Sequence, residues 1–242
     1  MMKKVLVACE ESQAVTIEFR KRGVEAYSCD IIDCSGNHPE WHIKADVLPL
    51  INGNCKFKTV DGVEHKIVGK WDAIIAFPPC THLAVSGASY FEKKRNDGRQ
   101  RFGIDFFGKI MNADCDKIVV ENPVNIISGN YIKKFFPDLC DKYGFPIQPT
   151  QRVQPWMFGD NNSKRTCFWI KGLSPLVAEV NEQPELDWVE WTDHKTGKKK
   201  RQDKWFYDAF FKTKSSEERQ KIRSKTFPGI ARAMAEQWIA FI

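Results

Sequence analysis

Two short stretches hold a thiol and a carboxylic acid whose types and spacing suit covalent and acid–base chemistry. FPPC, residues 77–80, follows the apolar run from Trp71 to Ala76 and delivers Cys80 through two rigid prolines at the exit of a predicted strand. KIVVEN, residues 117–122, ends another predicted strand on Glu121 and Asn122, and Pro123 fixes the turn behind them. A thiolate adds readily to electron-poor carbon, and a protonated carboxyl can donate to a ring nitrogen while its other oxygen accepts from an exocyclic amine. Arg165, in NSKRTCFWI, brings a cation that contacts a base carbonyl or favours the thiolate. Each residue has a plainer reading: Cys80 as a small core filler, Glu121 as a cap or ion pair, Arg165 as an ion-pair partner. The prolines before Cys80, the polar THLAVSG behind it and Glu121 on the next strand favour the reactive reading. His82 beside Cys80 would suit a Cys-His hydrolase, and is set below the first reading.

These residues need a scaffold, and the chain alternates strands with helices. KKVLVAC (3–9) reads as a buried strand, AVTIEFRKRG (14–23) as a helix stopped by Gly23, and VEAYSCDI as a strand ending near Asp30. Asp46 follows a short apolar lead, residues 56–68 read as a hairpin about Asp61-Gly62, residues 101–113 as a helix, and FPGIARAMAEQWI as a closing helix. Such alternation predicts an α/β fold with a mostly parallel, Rossmann-like sheet, whose ligands sit at the carboxyl ends of the strands. Asp30, Asp46, Cys80 and Glu121 all fall at that edge. Residues 1–171 with 226–242 are expected to form the catalytic domain, and 172–225 a small basic, aromatic unit.

The chain has 242 residues and a formal charge of +6, and no apolar run approaches the roughly 20 residues that span a bilayer. A cytoplasmic protein without a membrane partner is expected. The eight cysteines show no C-x-x-C pair, so reduced thiols and no metal are expected. Basic runs at Lys93 to Arg101 and Lys195 to Lys204 fit either solvated surface or phosphate contact. Trp188, Trp191, Trp205, Phe206 and Tyr207 are read as the core of the small unit rather than as a stacking platform for bases.

DAIIAFPPCTHLAVSG resembles the Pro-Cys motif of the DNA (cytosine-5)-methyltransferase family, VVENP resembles its Glu-Asn motif, and RTCFWIKG the strand after its arginine motif. The resemblance implies a Rossmann-like S-adenosylmethionine-dependent methyltransferase that moves a methyl group to carbon 5 of cytosine in DNA, with the base flipped out of the helix. It makes Cys80 the nucleophile, Glu121 the acid and Arg165 a supporting cation. Cys9, Glu10, Glu11, Ser12, Asp30, Ile31, Asp46 and Pro78 would face S-adenosylmethionine. Pro79, Thr81, Ser86, Asn122 and Lys164 would face the DNA substrate, with the segment from Thr81 to Arg101 as a lid.

Three departures stand beside this. CEESQA (9–14) has no glycine where the family has a glycine-rich loop, DNNSKRT lacks the glutamine that opens the arginine motif, and only about fifty residues remain for target recognition. RNA, single-stranded DNA, a free nucleotide, or a catalytically silent nucleic-acid-binding protein are therefore the alternatives. A methyltransferase acting on amino groups is disfavoured, because that chemistry uses a polar-Pro-Pro-aromatic element and no cysteine.

Overall fold

The structure is a computed structural model and describes residues 2–242. In chain order the elements are β1 (Lys4–Ala8), α1 (Ala14–Lys21), β2 (Glu25–Asp30), β3 (His42–Lys44), β4 (Lys56–Lys58), β5 (Glu64–Lys66), β6 (Ala73–Ala76), α2 (Phe91–Asn96) and α3 (Arg99–Met111). They continue with β7 (Ile118–Asn122), α4 (Asn130–Phe135), α5 (Pro137–Tyr143), β8 (Gln151–Val153), β9 (Thr166–Lys171), β10 (Trp188–Thr192), β11 (Lys199–Asp203), α6 (Lys204–Phe211), α7 (Ser216–Ser224) and α8 (Pro228–Trp238). Seven strands form one sheet in the order β3-β2-β1-β6-β7-β9-β8. The first five run parallel, and β9 runs antiparallel to both β7 and β8. The α/β, mostly parallel architecture expected from the alternation is the one observed.

Side chains alternate across a strand, so the sheet divides its own residues between two cores. Leu6, Ile74, Ile118 and Val120 enter a core that also takes Ile104 and Phe107 of α3 and Leu139 of α5. Val5, Val7, Ile75 and Val119 enter the opposite core, with Phe19 of α1 and Ile230, Met234 and Trp238 of α8. Full burial of each such large side chain stabilises the fold by about 1.5–3 kcal/mol. The closing helix requires Gly229 at its second position, because a Cβ there would collide with the Phe158 carbonyl.

Chain direction makes the crevice. From β1 the chain winds one way through β2 and β3, then returns to build β6 and β7 on the other side. Parallel α/β sheets open for ligands where the winding reverses, at the carboxyl ends of β1 and β6.

The expected hairpin is present, with β4 paired antiparallel to β5 and Gly62 at φ 91° in the turn. The appendage is more compact than the sequence suggested. The stretch from Gly172 to Asp187 lies along the main body, where Leu176 enters the α8-side core and Val177 N–H donates to Gln237. The β10–β11 hairpin, α6 and α7 form the appendage. Within it Trp191 faces Tyr207 with ring centroids 6.3 Å apart, whereas Trp205 packs on Phe227 at the body. Among the described residues no helix is long and apolar enough to cross a membrane.

Candidate active site

Cys80 leaves β6 on a loop whose carbonyls are held one after another. The Asn122 side chain donates from Nδ2 to the Pro78 carbonyl at 2.7 Å. Leu83 and Ala84 N–H both donate to the Cys80 carbonyl at 2.9 Å, and Lys94 Nζ donates to the Thr81 carbonyl at 2.6 Å. Leu83 is wholly buried and anchors the turn. Asn122 is itself fixed, because Asn125 Nδ2 donates to its Oδ1 at 3.1 Å. A thiol on a backbone so constrained has little freedom to lose when it reacts.

Glu121 lies at the end of the adjacent parallel strand, where Ala76 of β6 is in register with Val120 of β7. Burial pushes its carboxyl up, Lys164 is the cation that opposes this, and among the described residues no hydrogen bond reaches the carboxyl. Burial also pushes the Cys80 thiol up, the Glu121 charge adds to that, and Lys164 and Arg223 pull it down. Thiol, acid and two cations thus share one electrostatic environment.

Of the neighbouring pair Lys164 and Arg165, only Lys164 turns to this site. Successive side chains on an extended segment point opposite ways, so both cannot face it. Arg165 is exposed and acts on the Cys167 thiol, while Lys164 Nζ donates to the Arg223 carbonyl at 3.1 Å. Arg223, near the end of α7, is held with its guanidinium 4.3 Å from the Phe206 ring centroid, and burial lowers its basicity. Arg223 was not legible beforehand, since nothing local marks one arginine in a polar helix that returns to the thiol across 143 positions.

The lid segment is folded rather than loose. Val85 N–H donates to the Val124 carbonyl and Ile126 N–H to the Leu83 carbonyl, which ties it to the loop after β7. Its basic tail is committed internally, with Arg99 paired to Asp97, Arg101 to Asp138, and Lys94 buried. Pro79, Thr81 and Ser86 are exposed around Cys80, Pro78 is buried beneath it, and Ser12 is half-buried at the first loop.

Across the crevice, the first loop turns without glycine. Cys9 at φ 58° and Gln13 at φ 59° adopt the left-handed conformation that glycine takes easily and other residues resist. The surroundings hold Gln13 there: it is fully buried, donates to Ser28 Oγ and the His38 carbonyl, and accepts from His38 N–H. Glu10 folds back on α1 and accepts from Val15 N–H at 2.6 Å, Thr16 N–H and Thr16 Oγ1. Burial nevertheless raises its carboxyl to about 7. The positive end of α1 is therefore already occupied by this side chain.

Asp30 and Asp46 both raise the Cys9 thiol, after burial, and Glu11 raises Asp30 in turn, so these four residues converge. Asp46 Oδ1 accepts from Leu48 N–H at 3.0 Å, and its side chain is otherwise open. Ile31, next to Asp30, is 73% exposed, an uncovered apolar face at the crevice rim. Glu11 is buried, and among the described residues neither of its carboxylate oxygens finds a hydrogen bond.

No protein-family model matches the chain, and no curated protein matches it. Among solved structures it is similar to the methyltransferase EhMeth of Entamoeba histolytica, at 16% identity and a TM-score of 0.44. The match covers 78% of this chain and 58% of that one, so the chain spans less than two thirds of the length of the structure it matches.

Proposed function

We propose that the protein transfers a methyl group from S-adenosylmethionine to carbon 5 of cytosine in DNA. The observation that carries this reading is a thiol on an immobilised turn beside a half-buried acid that takes no hydrogen bond from the described residues, both at the mouth of the crevice. A carboxyl pushed up by burial is suited to donate a proton rather than accept one, and in its neutral form it no longer opposes the Cys80 thiolate. Lys164 and Arg223 favour that thiolate at the same time.

The steps follow from those properties. The Cys80 sulfur forms a bond to carbon 6 as its proton departs, and Glu121 donates to ring nitrogen 3, so electron density gathers at carbon 5. S-adenosylmethionine would supply the electrophilic methyl group there, its sulfur–methyl bond breaking to leave S-adenosylhomocysteine. Loss of the carbon 5 proton to water, return of the nitrogen 3 proton to Glu121 and cleavage of the carbon–sulfur bond give back an aromatic ring, a protonated acid and a free thiolate. Asn122 keeps the sulfur in place through the Pro78 carbonyl.

The acidic side of the crevice fits the donor. Asp30 and Asp46 offer acceptors for ribose hydroxyls and an adenine amine, Ile31 offers an apolar face to the adenine ring, and Glu11, whose oxygens take no hydrogen bond from the described residues, would accept a cation. DNA as the polymer rests on the resemblance of the Pro-Cys and Glu-Asn motifs and on the exposed lysines of the β10–β11 hairpin, Lys195, Lys198 and Lys199.

DNA carrying 5-fluorocytosine tests the proposal, because fluorine blocks the final elimination. Incubation with S-adenosylmethionine is expected to leave a covalent protein–DNA adduct, visible by denaturing electrophoresis, and Cys80→Ser is expected to abolish it. Wild-type protein that binds the donor yet forms no adduct would refute the mechanism. Raising salt separates the alternative substrates: affinity for a polymer falls steeply, whereas affinity for a free nucleotide barely changes.

A further inference from the structure

The first loop carries one buried group that neither the fold nor the nucleophile uses. Glu11 is 8% exposed and both its oxygens lack a hydrogen bond among the described residues, although its neighbour Glu10 has three donors. Its nearest cation is Lys221 of α7, whose Nζ stands 3.8 Å from Oε2, an ion-pair distance beyond hydrogen-bond range. Lys221 is itself largely exposed and comes from the appendage, so its ammonium can leave without uncovering a buried surface. Buried carboxylates are ordinarily matched by directed donors, and an unmatched one beside an open crevice marks a place for a cationic ligand.

The rest of the loop points the same way. A glycine-rich loop receives the anionic end of a ligand on free backbone N–H groups and a helix N-terminus. Here Glu10 occupies the start of α1, and Glu11 and Asp30 add further negative charge. The loop is built for a positive group.

We infer that Glu11 is the receptor for the α-ammonium group of the methyl donor, and that Lys221 of α7 stands in for that group until the donor arrives. This rests on the methyl-transfer reading and assigns part of the same crevice. It also gives α7 a second role, since the helix that releases Lys221 also carries Arg223 to the thiol; the donor is then sensed two residues from a cation that acts on the nucleophile.

Calorimetry on the full chain with three ligands tests the assignment. S-adenosylmethionine has both an ammonium and a sulfonium, S-adenosylhomocysteine keeps only the ammonium, and 5′-methylthioadenosine has neither. Glu11→Gln is expected to weaken the first two by roughly tenfold or more and to leave the third unchanged, which also shows that the variant is folded. Lys221→Met is expected to tighten the first two by about two- to fivefold, as removal of a competing cation requires. Unchanged affinities in Glu11→Gln, or equal losses for all three ligands, would overturn the assignment. A loss confined to S-adenosylmethionine would move the contact to the sulfonium and overturn it for the ammonium. An unchanged Lys221→Met would remove the stand-in role. If wild-type protein binds none of the three, the methyl-transfer reading fails and this inference fails with it.

Discussion

The two sides of the crevice start from similar parallel strand ends and reach opposite electrostatics. On the β6–β7 side, a thiol and an acid stand with Lys164 and Arg223, and the turn beneath them is fixed by hydrogen bonds to successive carbonyls. On the β1–β2 side, Glu10, Glu11, Asp30 and Asp46 gather around a loop that bends through two left-handed residues. The first arrangement restrains a reactive atom and tunes its charge. The second holds strain and negative charge in place, which suits recognition of a cationic small molecule more than bond making. One sheet edge thereby serves both tasks without either compromising the other.

The sharpest way to break this division is Glu121→Gln. Where Glu121 is ionised, removing its charge lowers the Cys80 thiol pKa, so iodoacetamide labelling of Cys80, followed by peptide mass spectrometry, is expected to speed up by roughly two- to tenfold on the alkaline side of the Glu121 titration. Methyl transfer is expected to fall by about 10²–10⁴-fold, because the proton donor to the ring is gone. A thiol made more reactive in a less active enzyme is a result that a merely structural Glu121 would not give.

Glu10→Gln probes the other side through stability. The folded carboxyl is raised to about 7 from an ordinary value near 4.5, so the folded state binds more protons than the unfolded state between those limits. Stability is therefore expected to fall as pH rises from about 4.5 to about 7 and to level off above, a total of about 3 kcal/mol. Melting curves across that window should show the slope in the wild type and lose it in Glu10→Gln. A wild-type profile that is flat there would place Glu10 among ordinary ionised caps.

The sequence made some of this legible and concealed the rest for physical reasons. WDAIIAF and KIVVEN are short apolar runs ending at prolines, and such runs identify buried strands and the side chains at their exits. Direction is not encoded in that signal, so the antiparallel β9 and the three-residue β8 had no distinct mark. The glycine-free CEESQA loop looked like a departure, yet Cys9 and Gln13 take the backbone conformation that glycine would have supplied, supported by contacts from His38 and Ser28 that lie far along the chain. Lys164 and Arg165 could be separated only once the strand that follows them fixed which side each faces. Lys221 and Arg223 reach the crevice from an appended helix, a placement that tertiary packing alone decides.

The finest test of the division is Asn122, which restrains the nucleophile without touching the acidic side. Its Nδ2 holds the Pro78 carbonyl at 2.7 Å and its Oδ1 accepts from Asn125, so Asn122→Ala leaves both of those groups without this partner beneath the reactive loop. Losing such a pair is expected to cost about 1–2 kcal/mol in thermal unfolding. It should also slow adduct formation with 5-fluorocytosine DNA by roughly tenfold through misplacement of the sulfur. Donor affinity measured by calorimetry should stay within about twofold of wild type, because none of the four acidic residues takes a hydrogen bond from Asn122. Asn122→Asp keeps the shape and the acceptor but removes the donor to Pro78, so it should slow the adduct as much as alanine does. A variant that instead weakened donor binding and adduct formation in equal measure would mean that the two sides of the crevice move as one.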